Sequence, residues 1–287
     1  MNFKSLSSHK NQEPESSVLY IVGTPIGNLS DLSPRALNVL KNVSLIACED
    51  TRQTKKLLNK FKFKNYLTSF NKHNSFKKIP KIIDELKAGK SIAIVSDAGL
   101  PGVCDPGEDM VKQAKSEGFN IICIPGPCSA LTALVTSGFP SSKFTFHGFL
   151  PKRNKERQEI LLEISKCERT SILFESPHRL KKLLIELKEY CGCDREIQIS
   201  RELTKKFEES IGSNIDTILK IFEGKEVIGE ITIVIKGVDK SKDLTIDKLE
   251  LKKELEELIK AGLSLSAASK YLAKKKNIAK KIIYNLY

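Results

Sequence analysis

The chain has 287 residues, of which 40% are hydrophobic and 29% are charged, enough for two α/β domains with a short appendage. No stretch approaches the roughly 20 consecutive apolar residues that span a bilayer. The first 17 residues lack the apolar core of a secretory signal, so we expect 1–17 to be a disordered tail. The seven cysteines fit no disulfide framework, which favours a cytoplasmic protein. Their spacing also does not fit that of zinc ligands, so we expect no metal site. Because a long apolar stretch is lacking, we expect no membrane segment either.

The formal net charge of +13 suits a polyanionic partner such as nucleic acid. Lysine is abundant throughout, so the distribution of charge matters more than its sum. From 264 to 287 there are six lysines, among them Lys274, Lys275 and Lys276, and no acidic residue. This asymmetry predicts a contact with RNA phosphates, and the alternative is an ordinary solvated helix surface.

Residues 18–140 alternate short apolar runs with helix-period segments. Strands are predicted over 19–23, 45–49, 66–70, 92–97 and 120–125. Their continuous apolar character is typical of buried parallel strands, which predicts a doubly wound sheet. Ser33-Pro34 and Asp105-Pro106 both have the pattern of an N-cap followed by proline, so each predicts a helix start.

A second α/β domain is predicted over 141–238. Its strand candidates are 144–149, 171–175, 197–201 and 230–236, with another near Ser210, and helices begin near Arg153, Pro177 and Asn214. In the last strand Ile231, Ile233 and Ile235 alternate with other residues, which predicts one solvated face. Residues 239–287 are expected to form a linker and a basic tail with helices over 247–261, 264–275 and 277–286.

Three strands of the first domain end in turns rich in glycine and proline, at 23–28, 96–102 and 125–130. Because the carboxyl ends of parallel strands meet at one edge of a sheet, these turns predict a pocket walled by main chain. Such a pocket suits a small ligand with a flat ring and a zwitterionic end. Neither a GxxxxGK[ST] loop nor a GxGxxG turn into a helix is present, which argues against ATP and NAD.

Several strings occur in a characteristic order. They are LYIVGTPIGNL at 19–29, CEDTR at 48–52, VSDAG at 95–99, DPG at 105–107, PGPCSA at 125–130, GFLP at 148–151 and RELTK at 201–205. Together they resemble the rRNA (cytidine-2′-O)-methyltransferase branch of the tetrapyrrole-methylase superfamily. The resemblance runs from about residue 18 to 237. Leu100 and Cys104 depart from it, since threonine and a serine-like residue are expected there.

The resemblance implies two α/β domains with S-adenosylmethionine in the cleft between them, and usually a homodimer. It also implies methylation of a cytidine ribose of 16S rRNA, near the decoding site of the small ribosomal subunit. Carried onto this sequence, it implies that the cofactor is bound by Pro25, Gly27, Ser96, Asp97, Gly99, Gly126, Ser129, Ala130 and Glu230.

A ribose hydroxyl is a poor nucleophile, so a carboxylate or a neutral histidine within hydrogen-bonding reach would assist the transfer. The candidates are Glu49, Asp50, Asp97 and His73. Asp50 has an alternative role as the N-cap of a helix that begins at Thr51, and His73 has one as a surface residue.

Arg52 and Lys205 are candidates for binding RNA phosphate or for ordering the carboxylates. Two other functions remain open from the sequence. One is a methylase acting on a precorrin or uroporphyrinogen, and the other is a non-enzymatic RNA-binding assembly factor that has kept the fold.

Overall fold

The computed structural model describes residues 13–105, 107–239, 248–276 and 280–287. The chain divides into two compact units, Met1–Gly237 and Val238–Tyr287. The first unit contains two α/β domains, each built on a five-stranded sheet.

The first sheet is entirely parallel, and its strand order is β3-β2-β4-β1-β5. Its strands are β1 (Val18–Val22), β2 (Leu45–Cys48), β3 (Leu67–Ser69), β4 (Ile92–Val95) and β5 (Asn120–Ile124). Its helices are α1 (Pro34–Asn42), α2 (Thr51–Lys60), α3 (Ser75–Lys87) and α4 (Glu108–Ser116). One apolar core lies under α1 and α2 and a second under α3 and α4, so the doubly wound arrangement is confirmed.

The two predicted helix starts have different outcomes. Ser33 caps α1, because its hydroxyl accepts the Ala36 N–H over 3.0 Å. The start at Asp105-Pro106 is wrong, since α4 begins at Glu108 with Gly107 at its N-cap position. The Asp105 carboxyl instead lies near Ser96, at the end of β4.

The expected disordered tail needs a correction at its end. Within 13–17, Glu13 is buried and forms a two-pronged ion pair with Arg35, at 2.6 and 2.7 Å. The hydroxyls of Ser16 and Ser17 donate to carbonyl oxygens just after α3 and in its last turn. These bonds hold 13–17 against the first domain, whereas 1–12 lie outside the described residues.

The second sheet is mixed, with order β6-β7-β10-β8-β9, and only its β6–β7 pair is parallel. Its strands are β6 (Phe144–Phe149), β7 (Thr170–Glu175), β8 (Glu196–Arg201), β9 (Glu209–Asn214) and β10 (Ile231–Ile235). The helices α6 (Asn154–Lys166), α7 (Pro177–Cys191) and α8 (Ile215–Ile221) cover one face. The preceding helix α5 (Ser129–Ser137) packs on the other face. The strand predicted near Ser210 is confirmed as β9.

The predicted solvated face of the last strand is wrong. β10 lies in the middle of its sheet, and all five of its residues are buried. Its isoleucines enter the core under α6, α7 and α8, while Val234 packs with residues of α5. The alternation therefore reflects two different buried surfaces.

The second unit consists of the helices α9 (Lys248–Lys260), α10 (Leu265–Lys276) and α11 (Lys280–Tyr284). They share an apolar core of Leu251, Leu255, Ala268, Leu272 and Ile283. In the described parts of the chain, no helix has the length and apolar character needed to cross a membrane.

Candidate active site

A cavity of about 490 Å³ lies between the two α/β domains, at the carboxyl ends of β2 and β4. From the first domain it is lined by Ile26, Glu49, Asp97, Ala98, Gly99, Leu100, Val103, Cys104 and Asp105, and by Cys128 and Ser129 at the start of α5. From the second it is lined by Phe149, Phe174, Glu175, Ser176, Pro177, Ser200, Leu203, Gly229, Glu230, Ile231 and Thr232. This is the edge of the sheet at which the sequence predicts a pocket.

Three carboxylates form one wall of the cavity. Glu49 follows β2, Asp97 follows β4, and Asp105 lies in the loop before α4. Burial raises the pKa of each carboxyl above its usual value, and the charges of Asp105 and Asp97 raise that of Glu49 further. Lys72 opposes part of the shift at Glu49 and Asp105, and its Nζ donates to the Cys104 carbonyl oxygen over 2.9 Å.

Cys104 joins this wall to the second domain. Its backbone has a φ of +65°, and its thiol accepts a hydrogen bond from the backbone N–H of Phe149. A Cβ on Gly148 would lie 2.6 Å from the Cys104 Sγ, so only glycine permits this close approach. The departure from the family pattern at Cys104 therefore falls on a contact between the domains.

The opposite wall carries the buried carboxylate of Glu175, at the end of β7. Its Oε1 accepts the Ser176 N–H over 2.8 Å and lies 3.2 Å from Nε of Arg179. Its Oε2 lies 3.8 Å from Nη2 of Arg157 and has no hydrogen-bond partner in the described part of the chain. Sequence analysis assigned no role to Glu175. The signals were its position at the end of a predicted strand and the Glu175-Ser176 pair, which belongs to the strings that resemble the family.

Four of the predicted cofactor-binding residues line the cavity, namely Asp97, Gly99, Ser129 and Glu230. The other five do not line it. Pro25 and Ala130 are buried, and the buried Ser96 hydroxyl donates to the Ala98 carbonyl oxygen over 3.1 Å.

The two remaining glycines of that set allow close packing. A Cβ on Gly126 would lie 2.7 Å from Cα of Gly23, and one on Gly27 would collide with the Lys205 side chain. Gly126 therefore lets two turns of the first domain touch, whereas Gly27 lets the first domain approach the second.

The acidic and basic residues around CEDTR lie in different places. Asp50 is the N-cap of α2, where its Oδ1 accepts the Arg52 N–H over 2.8 Å. The Arg52 guanidinium also binds both oxygens of Asp50 and holds the pKa of that carboxyl at about 2. Neither residue lines the cavity, and His73 lies exposed in the turn before α3.

The predicted RNA-binding lysines differ in their partners. Lys205 Nζ lies 2.8 Å from Glu202 and 2.9 Å from Glu230, so two carboxylates balance its charge. In the second unit, Lys274 and Lys275 are exposed on α10, and Lys275 Nζ is 3.3 Å from Glu254. Lys276 ends α10, and its side chain lies outside the described residues.

Comparison with known proteins identifies the class of enzyme to which this chain, with its cleft between two α/β domains, belongs. The sequence model of the tetrapyrrole (corrin/porphyrin) methylases matches residues 18–219. The fold is also that of the uroporphyrin-III C-methyltransferase from Thermus thermophilus, solved with S-adenosylhomocysteine, with a TM-score of 0.53 at 13% identity. That alignment covers 76% of this chain and 96% of the other.

Curated relatives identify the branch. The ribosomal RNA small subunit methyltransferase I of Bacillus subtilis is 40% identical over 282 residues, or 96% of each chain. The protein of the same name from Thermotoga maritima is 48% identical over 219 residues, which cover 76% of this chain and 98% of that one. The chain therefore belongs to the tetrapyrrole methylase family, in the branch of ribosomal RNA small subunit methyltransferase I.

Proposed function

We propose that this chain is an S-adenosylmethionine-dependent methyltransferase that acts on the 2′-hydroxyl of a cytidine in 16S rRNA, in the cytoplasm. The names of its full-length relatives support an rRNA of the small subunit as the substrate. The observation that carries the chemistry is the wall formed by Glu49, Asp97 and Asp105 at the strand ends of the cavity between the domains, where desolvation raises the pKa of each carboxyl.

The cavity fits the cofactor. Ile26, Val103, Leu203 and Ile231 give it apolar surface for a flat ring, and the main chain of Gly99 offers polar groups beside them. The carboxylates give a negative field that suits a cationic sulfonium. When bound, the cofactor supplies an electrophilic methyl group on a positively charged sulfur.

We assign the role of general base to Glu49. Its raised pKa makes it a stronger base than an ordinary carboxylate. Asp97 is less suited, because its side chain is exposed to solvent, whereas that of Glu49 is half-buried. The negative charges of Asp97 and Asp105 raise the pKa of Glu49 and so make Glu49 a stronger proton acceptor.

The curated relatives disfavour the rival substrate, because those of Bacillus subtilis and Thermotoga maritima are named as methyltransferases of small-subunit ribosomal RNA and not of a tetrapyrrole. An assembly factor without activity would have no use for Glu49, Asp97 and Asp105 at the strand ends, since the desolvation that raises the pKa of each carboxyl costs folding free energy.

Two further features of this function belong to the same proposal. The first is a homodimer, supported by the exposed apolar side chains of Leu131 and Val135 on α5. The second is a contact of Lys274, Lys275 and Lys276 with RNA phosphates, supported by the absence of acidic residues from 264 to 287. Sedimentation of the free protein tests the first.

Calorimetry and a transfer assay test the function. We expect S-adenosylmethionine to bind without added metal, and labelled methyl groups to pass to 30S particles but not to uroporphyrinogen. Labelled uroporphyrinogen would favour the tetrapyrrole methylase, and failure to bind the cofactor would favour the assembly factor.

A further inference from the structure

The segment from 51 to 83 has the strongest local charge bias in the first domain. It contains ten lysine or arginine residues and no aspartate or glutamate. It begins with α2, continues through β3 and ends within α3. This bias lies on the catalytic unit itself, separate from the lysines of the tail.

Part of this segment forms a groove of about 520 Å³ between α2 and the chain that leads into β3. The groove is lined by Thr51, Arg52, Lys55, Leu58, Asn59, Phe63, Lys64, Asn65, Tyr66 and Leu67. Arg52, Lys55 and Asn59 share one face of α2, because they are three and four residues apart. Tyr66 stands at the groove with 81% of its surface exposed.

The lysines of the groove are available to a ligand. Lys55 and Lys64 are exposed, and neither has an ion-pair partner among the described residues. Lys205, in contrast, is paired with two carboxylates. β3 is the edge strand of its sheet, and no other strand of the described residues lies against this side of the domain.

Asp50 links the groove to the cavity between the domains. Arg52 at its head binds the carboxylate of Asp50. The backbone N–H of Asp50 in turn donates to Asp97, which lines the cavity. A chain that follows the groove toward Arg52 therefore arrives beside the carboxylate wall.

We propose that this groove binds the single-stranded RNA next to the target nucleotide. Lys55 and Lys64 contact its phosphates, and the ring of Tyr66 stacks on one of its bases. Cations that follow a backbone, together with an exposed aromatic ring, are the usual means of holding unpaired RNA. The inference rests on the proposed function, because it assigns the RNA path into that site.

The test uses the full-length chain and a fluorescent single-stranded oligoribonucleotide from the decoding region of 16S rRNA. Anisotropy is measured over a salt series for Lys55→Ala/Lys64→Ala and for the control Lys155→Ala/Lys181→Ala. The control lysines are equally exposed on α6 and α7, so the change in net charge is the same. We expect only the groove variant to weaken binding, with the slope of log affinity against log salt reduced by about 1.4.

A second pair of variants tests the stacking. Tyr66→Ala should lower affinity at least about fivefold at every salt concentration, because a stacked base is lost. Tyr66→Phe keeps the ring and should bind as the parent does. Tyr66 is so exposed that neither change disturbs the core, and circular dichroism checks that both variants fold.

The outcomes separate this inference from the proposed function. Equal affinities and salt slopes for the groove and control variants would overturn the groove. So would a loss of binding confined to intact 30S particles, which would indicate a ribosomal protein as the partner. A parent protein that binds the oligoribonucleotide through the groove but methylates no RNA would support the groove and refute the methyltransferase function.

Discussion

The backbone N–H of Asp50 donates a hydrogen bond of 3.1 Å to Oδ1 of Asp97 and thereby ties the end of β2 to the end of β4. The side chain of Asp50 points elsewhere, because it caps α2 and binds Arg52. Glu49 and Asp50 thus have different roles, although they are adjacent in the sequence. Glu49 lines the cavity, and Asp50 holds the surrounding chain in place.

This division of tasks predicts different results for two substitutions. Glu49→Gln should lower kcat about 100-fold or more while the Kd of the cofactor changes little, because a general base is lost. Asp50→Asn keeps an N-cap and should retain most of the activity, whereas Asp50→Ala should lower the Tm by about 2–4 °C. Steady-state kinetics and thermal melts measure these effects. A loss of kcat for Asp50→Asn as large as that for Glu49→Gln would place Asp50 at the substrate.

Asp105→Asn should raise the Tm at pH 7. Burial raises the folded-state pKa of Asp105 above its unfolded value. The favourable contribution of this carboxyl is therefore complete at a pH below the unfolded pKa and is lost as the pH rises through the folded one. The amide in the variant is neutral at every pH, so the variant does not lose stability as the pH rises. The Tm of Asp105→Asn should therefore exceed that of the parent by a margin that grows between pH 4 and pH 7. A lower Tm for Asp105→Asn at pH 7 would contradict this reading of the acidic wall.

Gly99→Val should weaken cofactor binding more than tenfold, because Gly99 lines the cavity and a side chain there would take up its space. The residue has a φ of +80°, so the substitution also strains the backbone. Gly118 has nearly the same φ, +79°, with open space around it, and Gly118→Val is therefore a matched control for strain. Calorimetry compares the two, and similar cofactor affinities would show that the pocket lies elsewhere.

Truncation after Val238 removes the second compact unit with its lysine-rich helices. If these lysines bind RNA, the shortened chain should bind 30S particles more weakly. Its salt slope should also fall by about 0.7 to 0.9 for each lost phosphate contact. Cofactor affinity serves as the control and should not change. Unchanged binding to 30S particles at all salt concentrations would leave the tail without a role in RNA contact.

The sequence predicted the first sheet well because its central strands β1, β2 and β4 are parallel and mostly buried, so each is a continuous apolar run. The prediction from hydrophobic periodicity was wrong at β10. There, alternation looked like a solvated face, but Thr232 and Val234 are covered by tertiary contacts that local periodicity does not encode.

The site was predicted only in part. Asp105 resembled an N-cap because Asp-Pro commonly begins a helix, and only the path of the loop brings its carboxyl to Glu49. The pairing of Glu175 with Arg157 and Arg179 joins the end of β7 to α6 and α7, and only the packing of these helices on the sheet shows it. The run without acids from 51 to 83 is visible in the sequence, but only the fold shows which of its cations share a groove.

The most direct test of the account is to map 2′-O-methyl marks in 16S rRNA by primer extension at limiting nucleotide concentration. The RNA would come from a strain that lacks this chain and from the same strain complemented with the parent or with Glu49→Gln. We predict that one cytidine mark near the decoding site disappears on deletion, returns with the parent and does not return with Glu49→Gln. An unchanged set of marks in the deletion strain would contradict the central claim.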